Sequence, residues 1–134
     1  MKKELLFQEI IERLNHFPLP SFDLVIGIAD GGVVPAALVA NKLGCDLKLM
    51  KIRFRDKNNT PLQSNPEIQE RPPVPETIQT LLIVDDVSVT GKTLESARKS
   101  LNAFRVSTLV FKGNADFVLF PEIAGCIQWP WKMD

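Results

Sequence analysis

At 134 residues, 45% of them apolar, the chain is long enough for one well-buried core and short for two, so a single domain over 1–134 is expected. Its 16 basic and 16 acidic residues cancel, and no lysine or arginine run stands outside short mixed segments, so neither nucleic acid nor a membrane surface is favoured as a partner. The opening "MKKELLFQEIIERL" scatters Glu4, Glu9 and Glu12 among its apolar residues, which excludes the uninterrupted apolar core of a signal peptide. No stretch is long enough to span a bilayer, and a cytoplasmic protein is the expectation. Cys45 and Cys126 lie far apart with no Cys or His at ligand spacing, so neither a zinc site nor a structural disulfide is supported.

Leu6, Phe7, Ile10, Ile11 and Leu14 recur at helical spacing with acids between them, and Pro18 and Pro20 stop the pattern. His16, the sole histidine, falls at the end of this helix as a partly exposed residue. "DLVIGIA" (23–29) is an apolar, β-branched run ending at a glycine-rich turn, the signature of a buried strand. "GGVVPAALVANKLG" follows as a helix, with Pro35 tolerated in the first turn and Gly44 as the C-terminal stop. "DLKLMKIRF" alternates as a strand. From Arg55 to Thr77 the periodicity breaks among prolines 61, 66, 72, 73 and 75, which reads as a long structureless loop, either a mobile lid or a solvated linker. A strand at Leu81–Val84, a helix from about Lys92 to Phe104, and strands at "VSTLVF" and "DFVLF" complete the series. Strands alternating with helices, each a nearly continuous apolar run, predict an α/β fold with a parallel sheet covered on both faces. Its ligand crevice lies outside the C-terminal strand ends, where "ADGG", "DDVSVTGKT" and Lys112-Gly113 fall.

"LLIVDDVSVTGKTLES" (81–96) carries the chemistry. A glycine between threonines at a helix start offers unpaired N–H groups, hydroxyl donors and the positive end of the helix dipole, which suits a phosphate. The nucleotide-triphosphate P-loop also ends in Gly-Lys-Thr, but it needs a glycine five positions before Gly91, and Asp86 stands there. Asp85 and Asp86 are suited instead to sugar hydroxyls, which donate to carboxylates, and to hydrated Mg²⁺, which takes oxygen ligands. Phosphoribosyl pyrophosphate satisfies all these groups together.

Two acids followed four residues later by Thr-Gly-x-Thr resemble the signature of the type I phosphoribosyltransferases. "IGIADGGVVPAALVANKLG" is similar to that family's pyrophosphate loop and following helix, and 55–77 falls where the family carries its flexible loop. "VFKGNAD" and "CIQWPWKMD" are similar to the base-contacting strand and tail of the short bacterial xanthine-guanine branch. The resemblance covers essentially the whole chain. It implies the three-layer type I phosphoribosyltransferase fold, with a small C-terminal hood and a long flexible loop. It also implies Mg²⁺ as cofactor, phosphoribosyl pyrophosphate and a nucleobase as partners, and a homo-oligomer, dimer or tetramer, whose interface an exposed Trp-rich tail would fit. By the same resemblance Asp85 and Asp86 are the catalytic and metal-binding acids. Ser88, Val89, Thr90, Gly91, Lys92 and Thr93 hold the 5′-phosphate, and Ala29, Asp30, Gly31 and Gly32 hold the pyrophosphate. Lys112, Cys126 and Ile127 meet the base, while Trp129 and Trp131 read as structural.

Three positions depart from the branch pattern. Val89 replaces the acid that handles the purine ring proton, and valine accepts no proton; adenine and orotate transferases also carry small apolar residues there. Asp30 replaces a customary Arg or Lys, and a carboxylate about 4 Å from a phosphate oxygen is repelled by about 4 kcal/mol at an effective dielectric of about 20. Arg53, Arg55 and Lys57 are candidates for compensating charge. Cys126 replaces a stacking aromatic whose contact is worth about 1–3 kcal/mol per base. Two functional readings follow: a phosphoribosyltransferase acting on a purine-like base in nucleotide salvage, and a non-catalytic sensor of phosphoribosyl compounds or nucleotides on the same fold. A phosphohydrolase is disfavoured because the acid-x-acid spacing is absent.

Overall fold

Two strands without a single exposed residue form the centre of the sheet in the computed structural model, which describes residues 2–53 and 66–132. They are β2 (Leu24–Ala29) and β5 (Thr80–Ser88). Strands buried on both faces need apolar residues at successive positions, which "LVIGIA" and "TLLIV" supply. Preceding β2 are a two-residue strand β1 (Lys3–Glu4) and helix α1 (Phe7–His16), and following it are α2 (Val33–Leu43) and β3 (Asp46–Arg53). Then come β4 (Glu67–Glu70), β5, α3 (Lys92–Ser100), β6 (Arg105–Gly113), β7 (Phe117–Val118) and β8 (Ile127–Gln128). The main sheet has six strands in the order β4-β3-β2-β5-β6-β7, all parallel except β4, which pairs antiparallel with β3.

Because side chains alternate across a strand, the pleat divides the core into two layers. Val25, Leu82, Val84, Leu109 and Phe111 face α1, α2 and the C-terminal tail. Leu24, Ile26, Leu81, Ile83 and Val110 face α3. The result is the expected three-layer α/β fold.

Four expectations are modified. The first concerns the long loop: residues 55–65 lie outside the described residues, but Glu67–Glu70 is a strand rather than loop. It pairs with Lys51–Arg53 across a register shift and packs Ile68 on the core. Its sequence, "EIQE", holds one apolar residue and shows no legible period. The second is α3, which stops at Ser100 instead of continuing to Phe104; the chain leaves in two successive turns that still bring Leu101 and Phe104 to the core. Third, "DFVLF" forms a ladder only at Phe117–Val118. Fourth, the tail is not an exposed tryptophan patch. Trp129 is 3% exposed, stacks on Trp131 at 5.1 Å between centroids, and both rings meet Phe111 edge-on. Burying these rings in their own core is what their apolar area favours. A parallel ladder between β1 and β8 ties this tail to the N-terminus, and Lys3 N–H donates to the Cys126 carbonyl at 2.9 Å.

α2 ends as expected at Gly44, in the left-handed region at φ 70° with its N–H on the Ala40 carbonyl at 2.8 Å. The close approach of α2 to β2 depends on Gly27, where a methyl group would lie 2.6 Å from Ala36 Cβ. Gly27→Ala is therefore expected to lower stability by about 1–3 kcal/mol through overpacking. Urea unfolding measures this, and an unchanged midpoint would mean that α2 has room to retreat.

Candidate functional site

The chain leaves β2 towards β3 on one side and leaves β5 towards β6 on the other, so the strand order reverses between β2 and β5. At such a point the two following loops diverge and leave a crevice at the C-terminal strand ends. Ala29–Gly32 closes one wall, with a cis peptide between Ala29 and Asp30, and Val89–Gly91 closes the other. The walls meet across the acids. A methyl group on Gly31 would lie 2.7 Å from Asp86 Oδ2, and one on Gly32 would lie 2.7 Å from the Val84 carbonyl and 3.0 Å from Asp85 Cα. Only bare backbone fits against this pair.

The pleat of β5 sends Asp85 to the α3 face and Asp86 to the α2 face, so the neighbouring carboxylates serve different spaces. Asp85 lines a cavity of about 400 Å³ with Val87, Ser88, Val89, Thr90, Gly91 and Thr93. Gly91 holds the turn at φ 81° and begins α3, which no side chain of that residue caps. The first-turn N–H groups and the Thr90 and Thr93 hydroxyls are thus gathered at the positive end of a helix dipole. From the far side, Asn114 fastens the turn: its backbone N–H donates to the Ser88 carbonyl at 2.9 Å and its Nδ2 to the Val89 carbonyl at 3.1 Å. Gly113, at φ 114°, permits that approach, since any side chain there would run into the Ser88 carbonyl.

Val87 and Val89 also border a second cavity of about 310 Å³, lined by Lys112, Cys126 and Ile127 together with Lys2, Gln128, Trp129 and Lys132. A third, of about 400 Å³, holds Ala29 and Asp30 with Lys51, Ile52, Arg53 and Gln69. The Lys132 ammonium reaches back to Asp86 Oδ2 at 3.5 Å, linking the tail to the acids.

Residues 6–112 match the model of the phosphoribosyl transferase domain, which is most of the chain. The chain belongs to that family. Among solved structures, the Helicobacter pylori xanthine-guanine-hypoxanthine phosphoribosyltransferase superposes with a TM-score of 0.82 at 13% identity, over 98% of this chain and 94% of that one. A Pyrococcus horikoshii purine phosphoribosyltransferase gives 0.70 at 23% identity, over 99% and 95%. A Neisseria gonorrhoeae hypothetical protein with bound ppGpp gives 0.69 at 21% identity, over 99% and 91%. At these identities the likeness is one of fold. No curated protein sequence matches the chain.

The expected residues are distributed unevenly among these cavities. Ser88, Val89, Thr90, Gly91 and Thr93 share the first cavity, but Lys92 lines a separate groove with Pro66, Glu95, Ser96 and Lys99. Lys112, Cys126 and Ile127 share the second cavity although they come from different elements. Arg53, expected to offset Asp30, does line its cavity; Arg55 and Lys57 lie outside the described residues. Lys2, Lys51, Gln128 and Lys132 line these cavities and Asn114 braces the turn without a sequence signal of their own. Lys51 sits in an alternating strand and Lys2 just before β1, while Asn114, Gln128 and Lys132 lie within "VFKGNAD" and "CIQWPWKMD", stretches that mark no individual role for them.

The acid pair is electrostatically loaded. Asp85 and Asp86 are each 9% exposed. Burial, and after it the neighbouring charge and hydrogen bonding of Asp86, push the Asp85 carboxyl up to about 8, against weaker opposing contributions from the Asp86 N–H and from Lys132. Between the ordinary value of 3.8 and about 8 the folded chain therefore holds a proton that the unfolded chain has lost. Stability must then fall as pH rises through this window. In chelator, the denaturation midpoint of the wild-type chain is expected to decline from about pH 4 to about pH 8, with Asp85→Asn removing most of that slope. Identical slopes for the two proteins would show that Asp85 ionises as freely folded as unfolded.

Proposed function

We propose that the chain is a Mg²⁺-dependent phosphoribosyltransferase that moves the phosphoribosyl group of phosphoribosyl pyrophosphate to a purine-like base in nucleotide salvage. The observation that carries this is the arrangement of the cavities: a phosphate-suited turn and a base-sized cavity share Val87 and Val89 as a common wall, and Asp85 lines the first of them. A ribose is the group that would bridge such a pair.

In this reading the Ser88–Thr93 turn, by its N–H groups and threonine hydroxyls, holds the 5′-phosphate. Asp85 and Asp86 accept hydrogen bonds from the ribose hydroxyls, and Lys112 donates to an exocyclic oxygen of the base. A base nitrogen forms its bond to C1 as the C1–oxygen bond breaks, and the electron pair leaves with diphosphate. The chain's contribution is positioning, with charge stabilisation of an electron-poor sugar. A buried pair of carboxylates, in which burial and its neighbour push Asp85 up to about 8, fits a hard divalent cation, which binds through one or two carboxylates plus substrate phosphates. Asp85 and Asp86 would hold it, and when bound it supplies positive charge to the diphosphate. Asp30, with Lys51 and Arg53 beside it, faces the space assigned to that group.

A second reading, a non-catalytic binder of phosphoribosyl compounds or nucleotides, has Asp30 and Val89 in its favour, and the Neisseria fold neighbour carries bound ppGpp. One experiment separates the two. The protein is mixed with phosphoribosyl pyrophosphate, Mg²⁺ and a panel of bases while diphosphate release is followed. Turnover is expected, with kcat reduced about 10²–10³-fold in Asp86→Asn, as for removal of one charge-stabilising group. Thermal stabilisation by nucleoside 5′-monophosphates with no turnover on any base would favour the binder instead.

A further inference from the structure

Resting on the phosphoribosyl reading, we infer that the base this chain accepts is anionic at neutral pH, an acidic oxo-base or a carboxylated one, rather than a neutral amino-substituted base. The 310 Å³ cavity is lined by three lysines, Lys2, Lys112 and Lys132, and among its described lining residues there is no carboxylate and no imidazole. Asp86, 3.5 Å from Lys132, engages one of the three; no ion pair of Lys2 or Lys112 occurs among the described residues. Ammonium groups only donate hydrogen bonds. An exocyclic amine would find no acceptor among these three side chains, whereas oxo or carboxylate oxygens can accept from lysines.

Titration calorimetry with nucleoside 5′-monophosphates, which share the ribose and phosphate and differ in the base, tests this. Xanthosine monophosphate carries a ring-ionised base and orotidine monophosphate a carboxylated one; inosine, guanosine and adenosine monophosphates carry neutral bases. At least one of the two anionic ligands is expected to bind about tenfold or more tightly than every neutral one, as for one hydrogen bond to a charged group. Whichever it is identifies the source of the charge. Lys132→Met and, separately, Lys2→Met should each shrink the ratio of anionic to neutral affinity, and Lys132→Arg should restore it. Tighter or equal binding of a neutral ligand, or a ratio unmoved by both methionine variants, would overturn the inference while leaving the phosphoribosyl reading intact. Failure of all five to bind would overturn both.

Discussion

The site depends on one close contact: the bare backbone of Gly31–Gly32 lying against the buried acids at the end of β5. Parallel pairing of β2 with β5 brings the two loops to the same level, because Leu24 pairs with Leu81 and Gly27 with Val84. With the register fixed by apolar residues on both faces, a shift of one residue would send the buried sets to the wrong layers. Burial of the strands thus also determines where the carboxylates sit. Hydrophobic packing does the positioning, and the glycines make the final approach possible.

Charge is managed asymmetrically around this contact. The strand ladder buries both acids, and burial, followed by the charge of Asp86, disfavours ionisation of Asp85. Partial relief comes from the tail, where Lys132 lies 3.5 Å from Asp86. That lysine is brought there by a short ladder between the N-terminal β1 and β8, and by the stacked tryptophans seated on Phe111. Elements at opposite ends of the chain thus meet at the acids. Beyond them, the cavities differ in character: hydroxyls and helix N–H groups at one, three lysines at the second, and an acid with two basic residues at the third.

How much of this the sequence discloses follows from what each part requires. β2 and β5 need continuous apolar runs, and such runs are readable; so is Gly44, because a left-handed helix stop calls for glycine. The Asp85–Thr93 turn is readable for the same reason, as its chemistry needs those residue types at fixed spacing. β4 was hidden because a four-residue edge strand with one apolar side chain needs no pattern beyond pairing with β3. Lys132 and Asn114 were hidden because their roles come from long-range placement rather than from neighbours in sequence. The pleat that splits Asp85 from Asp86 is not legible, because the apolar run marks the strand only to Val84 whereas β5 continues to Ser88.

The most direct measurement adds ribose 5-phosphate, which carries neither base nor diphosphate, to isotopically labelled protein and follows the backbone amide resonances. The account predicts saturable shifts concentrated at Ser88–Thr93 and at Asn114, whose N–H holds the Ser88 carbonyl. Saturable binding whose shifts fall in the Lys92–Lys99 groove or at Asp30, with the turn after β5 undisturbed, would contradict it.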